Sequence, residues 1–216
     1  MSEITSQLVK TLRDKTNAGM MDCKRALAEV GGDLEKAEDL LRKKGILKAG
    51  SKSSRATKEG VIASYIHMQG KVGVLVEINC ETDFVAKNEA FRDFVKDITL
   101  HIAASSPICV SRDQVPAELV ARERAVAIAQ IEEEGKKSGK SKPANIVEKI
   151  VDGKIDKFLA GLSLLDQPFI KNPDQTVEEL LKSKIAELGE NMVIRRFTRY
   201  MVGEVLEAEK TEQAAE

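Results

Sequence analysis

The sequence predicts an α+β protein: three short N-terminal helices, then a core in which a small three-stranded antiparallel sheet is packed with helices. Three observations support this prediction. Apolar residues recur at helical spacing in the first 47 residues. The stretch KVGVLVEINC (71–80) alternates between two faces, as a half-buried strand does. Near the C-terminus, NMVIRRFTRYMVG (191–203) fits either a strand or a helix, and its β-branched and aromatic residues favour the strand.

The first predicted domain, residues 1–47, consists of the three helices. Thr5 or Ser6 is suited to cap the first helix. The stretch GGD (31–33) ends the second helix, and its Asp33 is a suitable N-cap for the third. Because helices this short are marginally stable alone, we expect their apolar faces to pack against one another.

Two polar segments flank the predicted core. Residues 48–58 are predicted as a basic linker, because they are rich in Lys, Gly and Ser and contain no apolar residue except Ala. The stretch 42–58 carries seven basic residues and no acid. A solvated linker is the favoured interpretation, and a weak contact with an anionic partner is the alternative. Residues 206–216 are predicted as a frayed acidic tail.

The core domain is predicted over residues 59–205. VIASYIHM (61–68) and the strand 71–80 form a predicted β-hairpin around the turn QGK (69–71), and 191–203 adds the third strand. The segment QPFIKNPDQ (167–175) is predicted as an irregular connection. Helices are predicted over residues 88–105, 116–135, 144–159 and 176–189.

Charge and aromatic content argue against nucleic acid and membrane as direct partners. Lys plus Arg number 34 and Asp plus Glu number 35, so no net field attracts a polyanion. Trp is absent and aromatic residues make up 4% of the chain, which leaves few side chains on which bases could stack. No apolar run approaches the length of a membrane-spanning helix.

The cysteines and the N-terminus indicate a cytoplasmic protein. Cys23, Cys80 and Cys109 are scattered, odd in number and without CxxC spacing, so no disulfide framework is expected. Reduced thiols fit a cytoplasmic location. The first 19 residues contain acidic groups and no apolar stretch of the kind found in a signal peptide.

The chain contains no recognisable catalytic or cofactor motif. His67 and His101 lie far apart without zinc-ligand spacing, and both are interpreted as structural. There is no GxxxxGK[ST] loop, no GxGxxG after a strand and no GxSxG turn. We therefore expect a protein that is not an enzyme, has no catalytic residue, metal ligand or cofactor, and acts by binding.

Adjacent methionines, Met20 and Met21, open the second predicted helix. Helical periodicity cannot bury both equally, so they are suited to an adaptable protein contact. The alternative places both of them in the core of the three-helix module. Arg13 lies near the same turn, although an Arg at a helix C-terminus is also a common partner of the helix dipole.

The segment TDFV (82–85) joins the strand 71–80 to the following helix. Thr82 or Asp83 is suited to cap that helix, and Phe84 could pack inward as a hydrophobic staple. The alternative is that Phe84 is held outward for contact with another molecule. The residues by themselves favour the staple.

Four blocks of sequence resemble the elongation factor Ts family, the guanine-nucleotide exchange factors of elongation factor Tu. They occur in family order and cover the chain from the first helix to about residue 205. They are LRDKTNAGMMDCKRAL (12–27), VEINCETDFVAKNEAF (76–91), QPFIKN (167–172) and GENMVIRRFTRYMVGE (189–204).

The resemblance implies roles for the TDFV loop and for the candidates of the N-terminal module. The aromatic residue of the TDFV loop, here Phe84, would insert into the G domain of elongation factor Tu and disturb its Mg²⁺ and phosphate site. Thr82, Asp83 and Val85 belong to the same loop. Arg13, Met20 and Met21 would contact the G domain from the N-terminal module. The family's activity is release of GDP from elongation factor Tu during translation elongation.

The chain resembles the short form of the family, which implies a homodimer and a two-to-two complex as a hypothesis. The N-terminal module is also similar to a ubiquitin-associated three-helix domain, on the residues Ala26, Leu27, Gly32, Asp33, Ala37, Leu40 and Leu41. That similarity leaves a second function open: a non-catalytic adaptor that binds peptides or ubiquitin-like domains. A third and weaker alternative is RNA association through residues 42–58.

Overall fold

The computed structural model describes residues 4–16, 18–50, 52–138 and 143–204. The chain divides into two compact units. The first comprises Met1–Ile62, Glu77–Lys96 and Glu178–Ile194, and the second Ala63–Val76, Asp97–Val177 and Arg195–Glu216. The predicted acidic tail, 206–216, lies outside the described residues.

The α+β prediction is confirmed. The helices are α1 (Ser6–Thr16), α2 (Met20–Glu29), α3 (Leu34–Gly50), α4 (Asp83–Lys87), α5 (Glu89–Ser105), α6 (Ala117–Ser138), α7 (Ala144–Leu162) and α8 (Val177–Leu188). The strands are β1 (Glu59–His67), β2 (Val72–Cys80), β3 (Pro168–Phe169), β4 (Asn172–Thr176) and β5 (Met192–Met201). The predicted three-stranded antiparallel sheet has the order β1-β2-β5.

The three N-terminal helices share one small apolar core, whose buried residues are Val9, Leu12, Cys23, Ala26, Leu27 and Ala37. Two side chains cap these helices as the sequence predicts: the Thr5 hydroxyl accepts from Leu8 N at 3.3 Å, and the Asp33 carboxylate accepts from Lys36 N at 3.1 Å. Helix α3 continues to Gly50, three residues into the predicted basic linker.

Strand β2 is the most regular element of the sheet. One face is buried along its whole length, at Val72, Val74, Val76, Ile78 and Cys80. Beside it in β1, Gly60 has a φ of +143°, and a Cβ built there would lie 2.2 Å from the carbonyl oxygen of Ile78. Only glycine allows the backbones to approach this closely.

The segment 167–175 is not the irregular connection that the sequence predicted. It contains the antiparallel pair β3–β4, in which Pro168 faces Thr176 and Phe169 faces Asn172. A pair this short shows no period-two pattern, and the proline in each strand, Pro168 and Pro173, argues against a strand, so the sequence signal is absent.

A buried hydrogen-bonded chain holds this hairpin to α5 within the second unit. The ring of His101 is fully buried. Its Nδ1 accepts from Ile170 N at 3.2 Å, which places the proton on Nε2, and Nε2 donates to Gln167 Oε1 at 3.0 Å. Gln167 Nε2 in turn donates to the carbonyl oxygen of Gly161 at 2.6 Å. The neutral ring therefore has a partner at each nitrogen.

Burial lowers the pKa of His101, and the hydrogen bond with Gln167 opposes that effect. The unfolded chain thus binds this proton at a higher pH than the folded chain does. We expect the free energy of unfolding to fall as the pH is lowered through the unfolded pKa of about 6.5. Urea unfolding between pH 8 and pH 5 measures this loss. His101→Gln should reduce it, whereas the control His67→Gln, at an exposed position, should retain it; equal slopes in both variants would contradict the expectation.

Gly60→Ala should lower the free energy of unfolding by about 3 kcal/mol or more, because backbone strain and overpacking each cost about 1–3 kcal/mol. Gly31→Ala is the matched control, since Gly31 also has a positive φ (+69°) but would place its Cβ in open space. Gly31→Ala should lower the free energy of unfolding only by the backbone cost of placing alanine at a positive φ, about 1–2 kcal/mol. Urea unfolding of both variants tests this, and equal losses would contradict the close approach.

Candidate partner-binding site

The short helix α4 exposes Phe84 at the end of β2. The Phe84 side chain is 81% exposed, while its neighbours Val85 and Ala86 are buried. The staple interpretation of Phe84 is therefore wrong, because an inward-packed ring would be covered. Thr82 is the cap, since its hydroxyl accepts from Val85 N at 3.4 Å. Val85 and Ala86 anchor the helix, and Phe84 faces solvent.

Charged side chains flank the exposed ring. Lys87 Nζ donates to Asp83 Oδ2 at 2.7 Å, one turn apart on α4. The hydrogen bond from the Lys87 ammonium lowers the pKa of Asp83, and the same bond raises the pKa of Lys87. Because both groups are exposed, the pair contributes little to stability. It places one charge of each sign beside Phe84.

A second turn, which contains Glu190 and Asn191, is hydrogen-bonded to the residues that precede α4. The Glu190 carboxylate accepts two hydrogen bonds from Thr82, one from its backbone N at 3.0 Å and one from its hydroxyl at 2.7 Å. In the opposite direction, Asn191 N donates to Glu81 Oε1 at 2.5 Å. The two turns therefore exchange hydrogen bonds reciprocally.

Two further groups of the first unit strengthen this arrangement. Asn191 is 2% exposed, and its side-chain amide donates to the carbonyl oxygen of Arg55 at 2.8 Å. The Cys80 thiol donates to the carbonyl oxygen of Thr82 at 3.2 Å. Burial, assisted by the nearby Glu190 carboxylate, raises the pKa of Cys80 to about 11, so the thiol keeps the proton that it donates.

Sequence reasoning missed Glu81, Glu190 and Asn191. Each lies at the end of a predicted strand or helix, where a polar residue is ordinarily solvated. Their positions inside two of the family-like blocks were the available signal, but pairing between distant turns has no local pattern.

The N-terminal candidates are also exposed. Met20 and Met21 are 58% and 66% exposed on the first turn of α2, so the alternative that both lie in the helical core is wrong. Arg13 is exposed near the end of α1. Both groups of candidates, on α4 and on α1–α2, belong to the first compact unit.

Other site types have no support in the described part of the chain. No group of three or more His, Cys, Asp or Glu side chains there is placed to hold a metal ion. None of its helices has both the length and the apolar character needed to cross a membrane.

Comparison with known proteins identifies the family. The family model described as "Elongation factor TS" matches residues 47–204. Elongation factor Ts from Cyanothece sp. is 56% identical over 217 residues, covering 100% of this chain and 80% of that protein. The proteins of the same name from Citrifermentans bemidjiense and Carboxydothermus hydrogenoformans are 55% and 54% identical, covering 99% of this chain and 96% and 95% of those proteins. The chain therefore belongs to the elongation factor Ts family of translation elongation factors.

Proposed function

We propose that this protein binds elongation factor Tu in its GDP form and promotes release of the nucleotide by disturbing the Mg²⁺ and phosphate site of the G domain. The observation that carries the proposal is the exposure of Phe84 on a helix whose other apolar residues are buried. A solvent-exposed Phe on a firmly held turn is suited to insertion into a partner.

The exchange mechanism requires no chemical reaction by this protein. It requires that the protein bind nucleotide-free elongation factor Tu more tightly than the GDP-bound form. The factor by which this protein lowers the affinity of elongation factor Tu for GDP equals the factor by which GDP lowers the affinity of elongation factor Tu for this protein. Mg²⁺ is a large local charge at a phosphate site, so its displacement weakens nucleotide retention. Burial of Phe84 in the partner would contribute about 2–3 kcal/mol toward that distortion.

Arg13, Met20 and Met21 form the second part of the proposed interface. Methionine side chains adapt to an irregular surface, and a guanidinium binds carboxylates in a defined geometry. Contacts at these residues would supply affinity, while α4 acts at the nucleotide site. Under this proposal the protein is not an enzyme, works in the cytoplasm, and needs neither nucleic acid nor membrane as a direct partner.

Phe84→Ala should slow the maximal rate of GDP release about 30-fold or more, because it removes the burial energy of the ring. Release of a fluorescent GDP analogue from elongation factor Tu measures the rate. The control Ile108→Ala removes another large apolar side chain, 50% exposed, and should leave the rate unchanged. If the unaltered protein does not accelerate release, the exchange function is refuted, and the adaptor function becomes the one to test.

We also propose that two copies associate through the sheet face of the second unit. Ile66 and Leu75 are 65% and 51% exposed. They share one face, since the Ile66 Cδ1 atom lies 3.4 Å from a Cβ built on Gly73, two residues before Leu75. An exposed apolar face on a sheet favours a self-complementary contact.

Light scattering at micromolar concentration should therefore give twice the monomer mass. Leu75→Glu places a charge in the proposed interface and should give the monomer, whereas Ile146→Glu, at a 41% exposed position on α7, should keep the dimer. A monomer mass for the unaltered protein would overturn the homodimer.

A further inference from the structure

We infer that Glu190 is a positioning residue for nucleotide exchange: its carboxylate fixes Thr82 and thereby sets the orientation of α4 and Phe84. The inference rests on the proposed function and extends it to a residue that is distant in sequence from the exposed ring and bonded to the loop that carries it. Glu190 does not touch the partner in this scheme and acts through the turn that it binds.

The geometry singles out Glu190 because both of its carboxylate oxygens are used. Oε2 accepts from Thr82 N at 3.0 Å, and Oε1 accepts from the Thr82 hydroxyl at 2.7 Å. Two charge-assisted bonds to one residue fix its backbone and its side chain together. Glu190 is partly buried, which strengthens both bonds relative to an exposed pair.

Thr82 transmits this constraint to α4. Its hydroxyl accepts from Val85 N, and its carbonyl oxygen accepts from Ala86 N at 3.2 Å. The hydroxyl can do both because it donates its proton to Glu190 and accepts with a lone pair. The first turn of α4, which carries Phe84, is thus bonded to the residue that Glu190 holds.

The chemical requirement is an acceptor pair. Glutamine has the shape of glutamate, but its amide presents one acceptor and one donor group. Glu190→Gln therefore removes the charge that assists both bonds and presents an N–H donor to one of the two Thr82 groups, so that this bond is either broken or reversed in direction at the hydroxyl. Phe84 would then have to be ordered at the moment of binding, which costs conformational entropy.

A double-mutant cycle tests the inference. At saturating protein, Glu190→Gln should lower the maximal rate of GDP release about tenfold, the factor that corresponds to one hydrogen bond to a charged group. In the Phe84→Ala background the same change should lower the rate less than about twofold, because no ring remains to be positioned. The matched control is Glu178→Gln on α8, where the glutamate pairs with Lys182 on the same helix and the rate should not change.

Equal factors in both backgrounds would overturn the inference, since a purely structural Glu190 acts whether or not Phe84 is present. An unchanged rate in Glu190→Gln would also overturn it. If that variant lacks a cooperative thermal transition, the cycle is run with Thr82→Val, which removes the hydroxyl that donates to Glu190, and the same two outcomes apply.

Hydrogen exchange in the absence of any partner separates this inference from the proposed function. Glu190→Gln should accelerate exchange of the Val85 and Ala86 amides more than that of the β2 amides. Uniform acceleration would overturn the positioning role. If the unaltered protein does not accelerate GDP release from elongation factor Tu, but Glu190→Gln accelerates hydrogen exchange at Val85 and Ala86, the proposed function is refuted. The role of Glu190 in positioning α4 is then still supported.

Discussion

The two hydrogen bonds between Thr82 and the Glu190 carboxylate connect residues 108 positions apart, and the candidate interface depends on them. Helix α4 has five residues, far fewer than the roughly 12–15 that an isolated helix needs. The order of α4 therefore depends on its contacts with the rest of the chain. These are the cap at Thr82, the burial of Val85 and Ala86, and the hydrogen bonds of Glu190. This support allows a large ring to be exposed without the turn unravelling.

The described part of this protein pairs its buried polar groups, whereas it leaves several large apolar side chains exposed at the surface. In the part of the chain that the structure describes, no buried side-chain nitrogen or oxygen lacks a hydrogen-bond partner. The chain formed by His101, Gln167 and Gly161 satisfies its polar groups where burial makes an unpaired group costly. On the surface, Phe84, Met20 and Met21 remain uncovered although each could have added burial energy. The buried polar groups of the described residues are thus satisfied, while these three apolar side chains are accessible to solvent.

Such an arrangement suits a protein that works by binding energy alone. An exchange factor gains nothing from strengthening its own fold with Phe84, because that energy would be unavailable for the partner. Under the proposed function, a pre-ordered turn loses little entropy on binding, so more of the burial energy would remain to distort the nucleotide site. A rigid turn and an exposed Phe84 side chain thus both favour binding to a partner.

The sequence by itself determined the elements with a local pattern. The N-terminal helices and the β1–β2 hairpin follow from hydrophobic period and capping residues, which act over three or four positions, and β5 follows from its β-branched and aromatic content. The same sequence identified the TDFV loop and the two methionines as candidates, because their residue types fit poorly with the elements around them. It favoured the wrong orientation for Phe84, since a staple and an exposed ring have the same local pattern.

Only the tertiary structure decided which of these side chains are exposed and what holds them. Pairing of Glu190 with Thr82, and of Asn191 with Glu81, joins turns that no periodicity relates. The β3–β4 pair is likewise held by contacts to His101 on α5 and not by strand propensity. The physical reason is common to all three: these interactions gain their energy from burial and hydrogen bonding between distant segments, and the chain must fold before those segments meet.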